Sequence, residues 1–247
     1  QGLFPKIEFS PRSSSLHGSM GAQIGADEDA KRYRDGYPGQ REKEDPKERA
    51  NQKFYANEIK CEPDGDYIEE ILTKWHGDYD LLEQHHGYVQ WLFPIREQGM
   101  NPVSQPLTAY EVDEMIKDPA VLDRLRRSYR LMLDFYGMDL VNEDTGEVRP
   151  KKKGWQARYH NLSVSGHNFL RITRIIKCLG ELGLAHYQAP WCEHFVRETF
   201  QGGSLAQCAD SLVHYWIPVV KDDAAREKLV AEVAKHTSAD GGEDKGG

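Results

Sequence analysis

The sequence predicts an all-α fold, an irregular bundle of about seven helices with extended polar tails and a possible small hairpin near residues 142–150. Apolar residues recur at helical spacing in several segments, and strict alternation of apolar and polar residues never lasts long. Aromatic residues make up 10% of the chain and concentrate in its middle, where a core is needed. We expect three parts: an extended polar N-terminal arm (1–53), a helical domain (54–220), and a C-terminal helix with a Gly-rich tail (221–247).

Composition excludes several classes of function. A net charge of −8 argues against binding to the nucleic-acid backbone, which needs a basic face. The longest apolar stretch, residues 89–95, is far shorter than the roughly 20 residues of a transmembrane helix. The cysteines form no CxxC pair, so we expect reduced, buried thiols in an intracellular compartment at Cys61, Cys178, Cys192 and Cys208.

The first 50 residues are polar and rich in glycine, serine, proline and charge. Such a segment buries too little apolar surface to offset its chain entropy, so we expect it to order only on a partner. The chain begins with Gln1 rather than methionine, which indicates processing, truncation or a fragment; a removed transit peptide would place the protein in an organelle.

Two short helices are predicted first. After a turn at residues 63–65, Asp66 is expected to cap a helix that ends at Gly77. Asp78 is expected to cap the second helix. Residues 88–94 follow as a buried, non-helical connector.

The middle of the chain has the clearest helix signals. Thr108 and Glu111 match the capping-box pattern, in which each residue satisfies a free backbone donor of the other. Asp118 followed by Pro119 starts a long helix, which Gly137 ends.

Residues 142–153 predict an exposed loop with a turn, the site of the possible hairpin. The segment 169–182 predicts an amphipathic helix with its isoleucines inward and its basic residues outward. Further helices are expected at Pro190 and Ser204, and Asp222 caps the last one.

Nine strings of unusual composition carry a family resemblance. They are FYANEIK (54–60), GDYIEEIL (65–72), WHGDY (75–79), EQHHGYVQWLFP (83–94), REQGMN (96–101), LDFYG (133–137), LRITRI (170–175), GELGL (180–184) and HYQAP (186–190).

Over roughly 60% of its length the chain resembles the conserved domain of opioid growth factor receptors, a share large enough to imply the fold. The resemblance implies a binding or scaffold role with no catalytic residues. Animal receptors of this family are described as binding the pentapeptide Met-enkephalin at the nucleus, and they carry long C-terminal extensions. A nuclear, perinuclear or cytoplasmic location is implied in the same way.

A dense group of aromatic and histidine side chains is the candidate binding site. Such density is typical of interfaces and also of a small helical core, and we favour the core. The candidate residues for ligand or partner binding are Trp75, His76, Tyr79, His85, His86, Tyr88, Trp91 and Phe93.

We predict no metal and no cofactor. No acidic or cysteine partner stands at ligand spacing near the histidines, and we expect one of their rings to bond backbone beneath Trp91. The Cys192–His194 and Cys208–His214 pairs are equally weak as zinc ligands.

We also predict no enzyme. Neither a G-x-S-x-G nor a P-loop string occurs. Ser165-Gly166-His167 is the nearest approach to a catalytic set, and we interpret Ser165 as a helix cap. The basic run at residues 151–153 is interpreted as a solvated loop.

Three functional hypotheses follow. The first is a non-enzymatic helical domain that binds a peptide or protein. The second is an accessory subunit of a large organellar membrane complex, respiratory or photosynthetic, whose tails wrap neighbouring subunits. Peripheral association of the protein with the membrane is compatible with this hypothesis. The third, an enzyme of unrecognised class, has the least support.

Overall fold

The computed structural model describes residues 19–239, with side chains over residues 25–237. Within that part of the chain the fold is helical apart from one hairpin, which confirms the predicted fold class. The α-helices are α1 (Ser19–Arg34), α2 (Ala50–Tyr55), α3 (Ile68–Lys74), α4 (Tyr79–Gln84), α5 (Tyr88–Leu92), α6 (Ala109–Met115), α7 (Pro119–Tyr136), α8 (Trp155–Val164), α9 (His167–Glu181), α10 (Gln188–Val196), α11 (Ala209–Ser211) and α12 (Asp223–Ala239).

Local capping explains several of these boundaries, as predicted. In α7 the carboxylate of Asp118 accepts from the amide of Ala120 at 2.8 Å, and Gly137 closes the helix in the left-handed conformation. The reciprocal capping box of Thr108 and Glu111 is present at the start of α6.

The hairpin follows α7 directly. Strands β1 (Met138–Asn142) and β2 (Glu147–Pro150) are antiparallel, and Leu140 pairs with Val148 on the buried face. The small hairpin predicted near residues 142–150 is confirmed, and it begins earlier than expected because β1 leaves α7 without a loop.

Two predictions near the first helices are wrong. Asp66 does not cap α3; its carboxylate accepts instead from the indole nitrogen of Trp75 at 3.2 Å. Residues 88–94 contain the helix α5, because a short apolar run is compatible with either a helix or a connector and only its packing decides.

The expected extended N-terminal arm is also wrong for residues 19–53. Helix α1 buries Ala30 and Tyr33, and Tyr37 just beyond it is buried in the same core. The hydroxyl of Tyr33 donates to the carbonyl of Lys177 at 2.9 Å. Two tyrosines therefore fix a segment whose average composition is polar. The residues before 19, like those after 239, lie outside the described part, and domain boundaries at 54 and 221 stay predictions.

A buried carboxylate joins the N-terminal segment to α6. The oxygens of Glu111 accept from the amides of Asn51, Gln52 and Thr108, and from the side chains of Asn51 and Gln105, at 3.0–3.2 Å. Glu111 is fully buried, so one side chain caps α6 and also satisfies two free donors at the start of α2.

The C-terminal third is less regular than predicted. Instead of one helix from Ser204, residues 197–219 form two π-helical turns (Arg197–Gln201 and Leu212–Trp216), 3-10 turns and the single turn α11. The last helix agrees with the prediction, since Asp222 accepts from the amide of Ala225 at 2.7 Å and Leu229 is buried.

One hydrophobic core runs through the described residues, from Ala30 to Val233. All four cysteines are buried and free, as predicted. None of the helices within residues 19–239 has both the length and the apolar character needed to cross a bilayer.

Candidate functional site

The aromatic cluster lies mostly in the core. Trp75, Tyr88, Trp91 and Phe93 are buried, and the rings of Trp75 and Tyr88 pack edge to face with centroids 5.5 Å apart. These four side chains therefore stabilise the fold and are covered in the isolated chain. Tyr79 is partly buried.

The three nearby histidines have separate surroundings. The ring of His85 packs on Trp75, accepts from the amide of Gly87 at 3.2 Å and lies 3.4 Å from the carbonyl of Asp64. A histidine ring thus contacts the backbone as predicted, but the indole it packs on is that of Trp75 and not that of Trp91. His76 and His86 are exposed. Within the described residues no group of three or more His, Cys, Asp and Glu side chains is arranged to hold a metal ion.

The basic run at residues 151–153 and the segment Ser165–His167 show no catalytic arrangement. Lys152 and Lys153 are exposed, as predicted. Lys151 forms an ion pair with Asp134, which also accepts from the hydroxyl of Tyr79 at 2.9 Å. Ser165 ends α8 and makes no side-chain cap for α9, so that prediction is wrong. The imidazole of His167 instead pairs with Glu83 at 2.8 Å.

Helix α9 corrects a further prediction. Its isoleucines face the core as expected, but its basic residues, predicted to point outward, are buried. Arg171, Arg174 and Lys177 follow one another at three-residue spacing along one face of α9, and residues 95–100 lie across that face. Residues 95–100 cover Arg174 and Lys177, and residues 82–86 cover Arg171. The sequence of α9 reveals neither contact.

Two of these three cations each have at least three hydrogen-bond acceptors within the chain. The guanidinium of Arg171 donates to the backbone carbonyls of Leu82, Glu83 and His85 at 2.9–3.2 Å. The ammonium of Lys177 pairs with both oxygens of Glu97 at 2.9 Å and with Asp29 at 2.6 Å.

Arg174 differs from its neighbours on α9. Its Nε donates to the carbonyl of Phe93 at 2.7 Å, and no described residue pairs with its terminal nitrogens. Gly99 leaves room for them, because a Cβ there would lie 2.7 Å from Nη1. Burial lowers the pKa of Arg174 to about 10, so it remains charged at neutral pH.

These residues line a groove between α9 and residues 95–100, which we call the α9 groove. Its volume is about 620 Å³, against about 220–380 Å³ for three other surface cavities. Three exposed apolar side chains, Met100 (87% exposed), Leu170 (66%) and Tyr215, stand around it. An apolar rim over a cationic floor is suited to binding a ligand with both characters.

Of the predicted site residues, only His86 lines this groove. The other residues that line the groove were not predicted from the sequence. The three-residue spacing of the basic residues on α9 was visible, but it is equally typical of a solvated helix face.

Comparison with known proteins supports the resemblance drawn from the motifs. The conserved region of the opioid growth factor receptor matches residues 44–242. The chain is 44% identical to the mouse opioid growth factor receptor over 209 residues, which is 85% of this chain and 33% of that protein. It is 43% identical to the human opioid growth factor receptor over 211 residues, 85% of this chain and 31% of that protein.

A second group of relatives aligns over the same extent. The mouse opioid growth factor receptor-like protein 1 is 39% identical over 208 residues, 84% of this chain and 44% of that protein. The chain therefore spans between a third and a half of most of these curated relatives, and no solved structure matches it. Since the conserved region covers most of the helical fold described above, this chain belongs to the opioid growth factor receptor family.

Proposed function

We propose that this chain is a non-catalytic domain that binds a peptide or protein, and that the α9 groove is its binding surface. The observation that carries the proposal is the exposure of Met100 and Leu170 beside a buried cationic floor. Large apolar side chains gathered at a concave surface are typical of a binding site.

The pKa values of two cysteine thiols and the bonding of His167 support a non-catalytic role. Burial raises the pKa of Cys61 to about 11 and that of Cys208 to about 12, so both thiols are protonated at neutral pH. His167 is held by Glu83, and within the described residues no serine or cysteine side chain bonds to its ring. A serine or cysteine that uses histidine as its base is activated through such a contact.

The names of the relatives also agree with a binding role. They describe receptors of a growth factor, and that description belongs to those longer proteins. For this chain, which spans only part of them, a peptide or protein ligand is our proposal.

The accessory-subunit hypothesis has lost its main argument. It rested on the first 50 residues needing a partner in order to fold, whereas Tyr33 and Tyr37, in the described part of that segment, pack within this chain. No described feature now favours it over the binding domain.

Site-specific photo-crosslinking tests the proposal. Leu170, at the groove, and Val164, on α8 outside it, are both 66% exposed, so they form a matched pair. A photoreactive phenylalanine analogue at either position, in the chain expressed in its own cells, reports what lies against that position. We expect a discrete protein or peptide adduct at position 170 and none at position 164. Equal adducts at both positions, or none at position 170, would contradict the proposed surface.

A further inference from the structure

The charge of Arg174 is incompletely compensated. Its side chain is 9% exposed, and it lies on the same face as Arg171 and Lys177, whose charged groups each have at least three acceptors. A buried cation is costly unless it is paired and hydrogen-bonded. Among the described residues, the carbonyl of Phe93 is its one hydrogen-bond acceptor.

The acidic residues that line the groove are already engaged. Glu97 holds Lys177 with both of its oxygens and accepts from the hydroxyl of Tyr37 at 2.6 Å. Asp29 contacts Lys177 from the other side. Neither carboxylate bonds to Arg174, so its terminal nitrogens, which line the groove, are open to an acceptor that enters it.

The rim restricts the kind of molecule that supplies this acceptor. Met100, Leu170 and Tyr215 present apolar surface on both sides of the groove. A small inorganic anion would leave that surface exposed. A peptide that places an acidic side chain between apolar side chains would cover the rim and also pair with the floor.

We propose that the α9 groove recognises a peptide segment with an aspartate or glutamate between apolar residues, and that the acidic side chain pairs with Arg174. This inference rests on the proposed binding function and adds the chemistry of its ligand. The chain carries a net charge of −8, so long-range attraction does not bring an acidic ligand to it. Recognition is therefore local, within a buried contact that salt screens little.

Selection from a peptide library provides the probe. Random nine-residue peptides, displayed with both ends joined to other sequence so that no free C-terminal carboxylate is present, are selected on the full chain. Peptides whose binding is lost with Leu170→Glu but kept with Val164→Glu are taken as groove ligands. We expect their shared feature to be one acidic residue flanked by apolar residues.

A double-mutant cycle then locates the contact. Changing the acidic residue of a selected peptide to its amide should weaken binding to the unaltered chain about 10- to 100-fold, the effect expected for a charge-assisted hydrogen bond. The same change in the peptide should weaken its binding to Arg174→Gln by less than about threefold, since the partner of the acidic side chain is then absent. If Arg174→Gln does not fold, Arg174→Lys takes its place, and the cycle should show a smaller coupling because an ammonium loses the bidentate contact.

The outcomes separate the two proposals. Groove ligands without a shared acidic residue, or an equal effect of the peptide change on both proteins, would overturn the role of Arg174 and leave the groove as a binding surface. Absence of any peptide whose binding depends on Leu170 would overturn both proposals. Unchanged affinity between 50 and 300 mM salt would agree with a buried pair, whereas a steep loss would indicate a screened surface contact and overturn it.

Discussion

Glu44 and Arg96 form an ion pair that is almost fully buried, with Nη2 of the arginine 2.8 Å from Oε1 of the glutamate. The second oxygen of Glu44 accepts from the amide of Ala109 at 2.7 Å, and Arg96 also donates to the carbonyl of Gly36 at 3.0 Å. One pair thus joins the N-terminal segment to the groove loop and to the first turn of α6.

Removing one partner of this pair should destabilise the fold. In Glu44→Gln the charge of Arg96 loses its counter-ion inside the protein, so we expect the free energy of unfolding to fall by about 3 kcal/mol. Urea denaturation measures this free energy, and Glu42→Gln, at an exposed position, is the control. A change in Glu44→Gln no larger than that of the control would show that the pair contributes little.

Substitution of Tyr33 tests whether the N-terminal segment belongs to the folded domain. Its ring is fully buried and its hydroxyl bonds to Lys177 and Gln188. Tyr33→Ala should therefore lower the free energy of unfolding by about 3–5 kcal/mol, as for other large aromatic residues replaced in a core. The exposed Glu28→Ala on the same helix should change it by less than about 0.5 kcal/mol. Thermal denaturation in which the two variants behave alike would place this segment outside the domain.

Glu111 tests the capping network. Only hydrogen-bond donors surround its two oxygens, so Glu111→Gln directs an amide NH₂ group toward other donors. We expect a loss of about 2–4 kcal/mol in chemical denaturation, because buried donors are left without an acceptor. Glu114→Gln, on the exposed side of the same helix, is the matched control. Equal stability of the two variants would contradict a central role for this carboxylate.

Stability should depend on pH through Glu69. Hydrogen bonds from Arg127 and Arg124 lower its pKa to about 2 in the folded chain, below the ordinary value of 4.5. The folded state therefore binds this proton less readily than the unfolded state, so the contribution is present above pH about 4.5 and is lost as the pH falls toward 2. Because the side chain is 34% exposed, solvent screening reduces it to about 1 kcal/mol.

The difference in unfolding free energy between the unaltered chain and Glu69→Gln measures this contribution. It should be about 1 kcal/mol at pH 6 and should shrink steadily below pH 4. Glu58→Gln, which removes an exposed carboxylate with no described ion pair, should show no such trend. A pH-independent difference for Glu69→Gln would mean that its ion pairs do not stabilise the fold.

Features set by neighbouring residues could be predicted from the sequence. The capping box of α6, the ends of α7, the hairpin and the cap of α12 each depend on residues within one or two turns. The fold class follows from the same local patterns, and the family follows from motifs long enough to be distinctive.

Features set by distant packing could not be predicted. Arg174 has the sequence signature of an exposed helix position, and it is buried only because residues 95–100 cross α9. Tyr33 stands in a polar segment, and its partners Lys177 and Gln188 lie more than 140 residues away. Asp66 precedes α3 as a cap would, yet the indole of Trp75 competes successfully for its carboxylate.

The central claim is that the α9 groove binds a peptide, and hydrogen–deuterium exchange tests it most directly. A saturating selected peptide should slow the exchange of backbone amides in residues 95–100, which form one wall of the groove, and leave α8 unchanged. Unchanged exchange in residues 95–100, with protection confined to another part of the chain, would contradict the account.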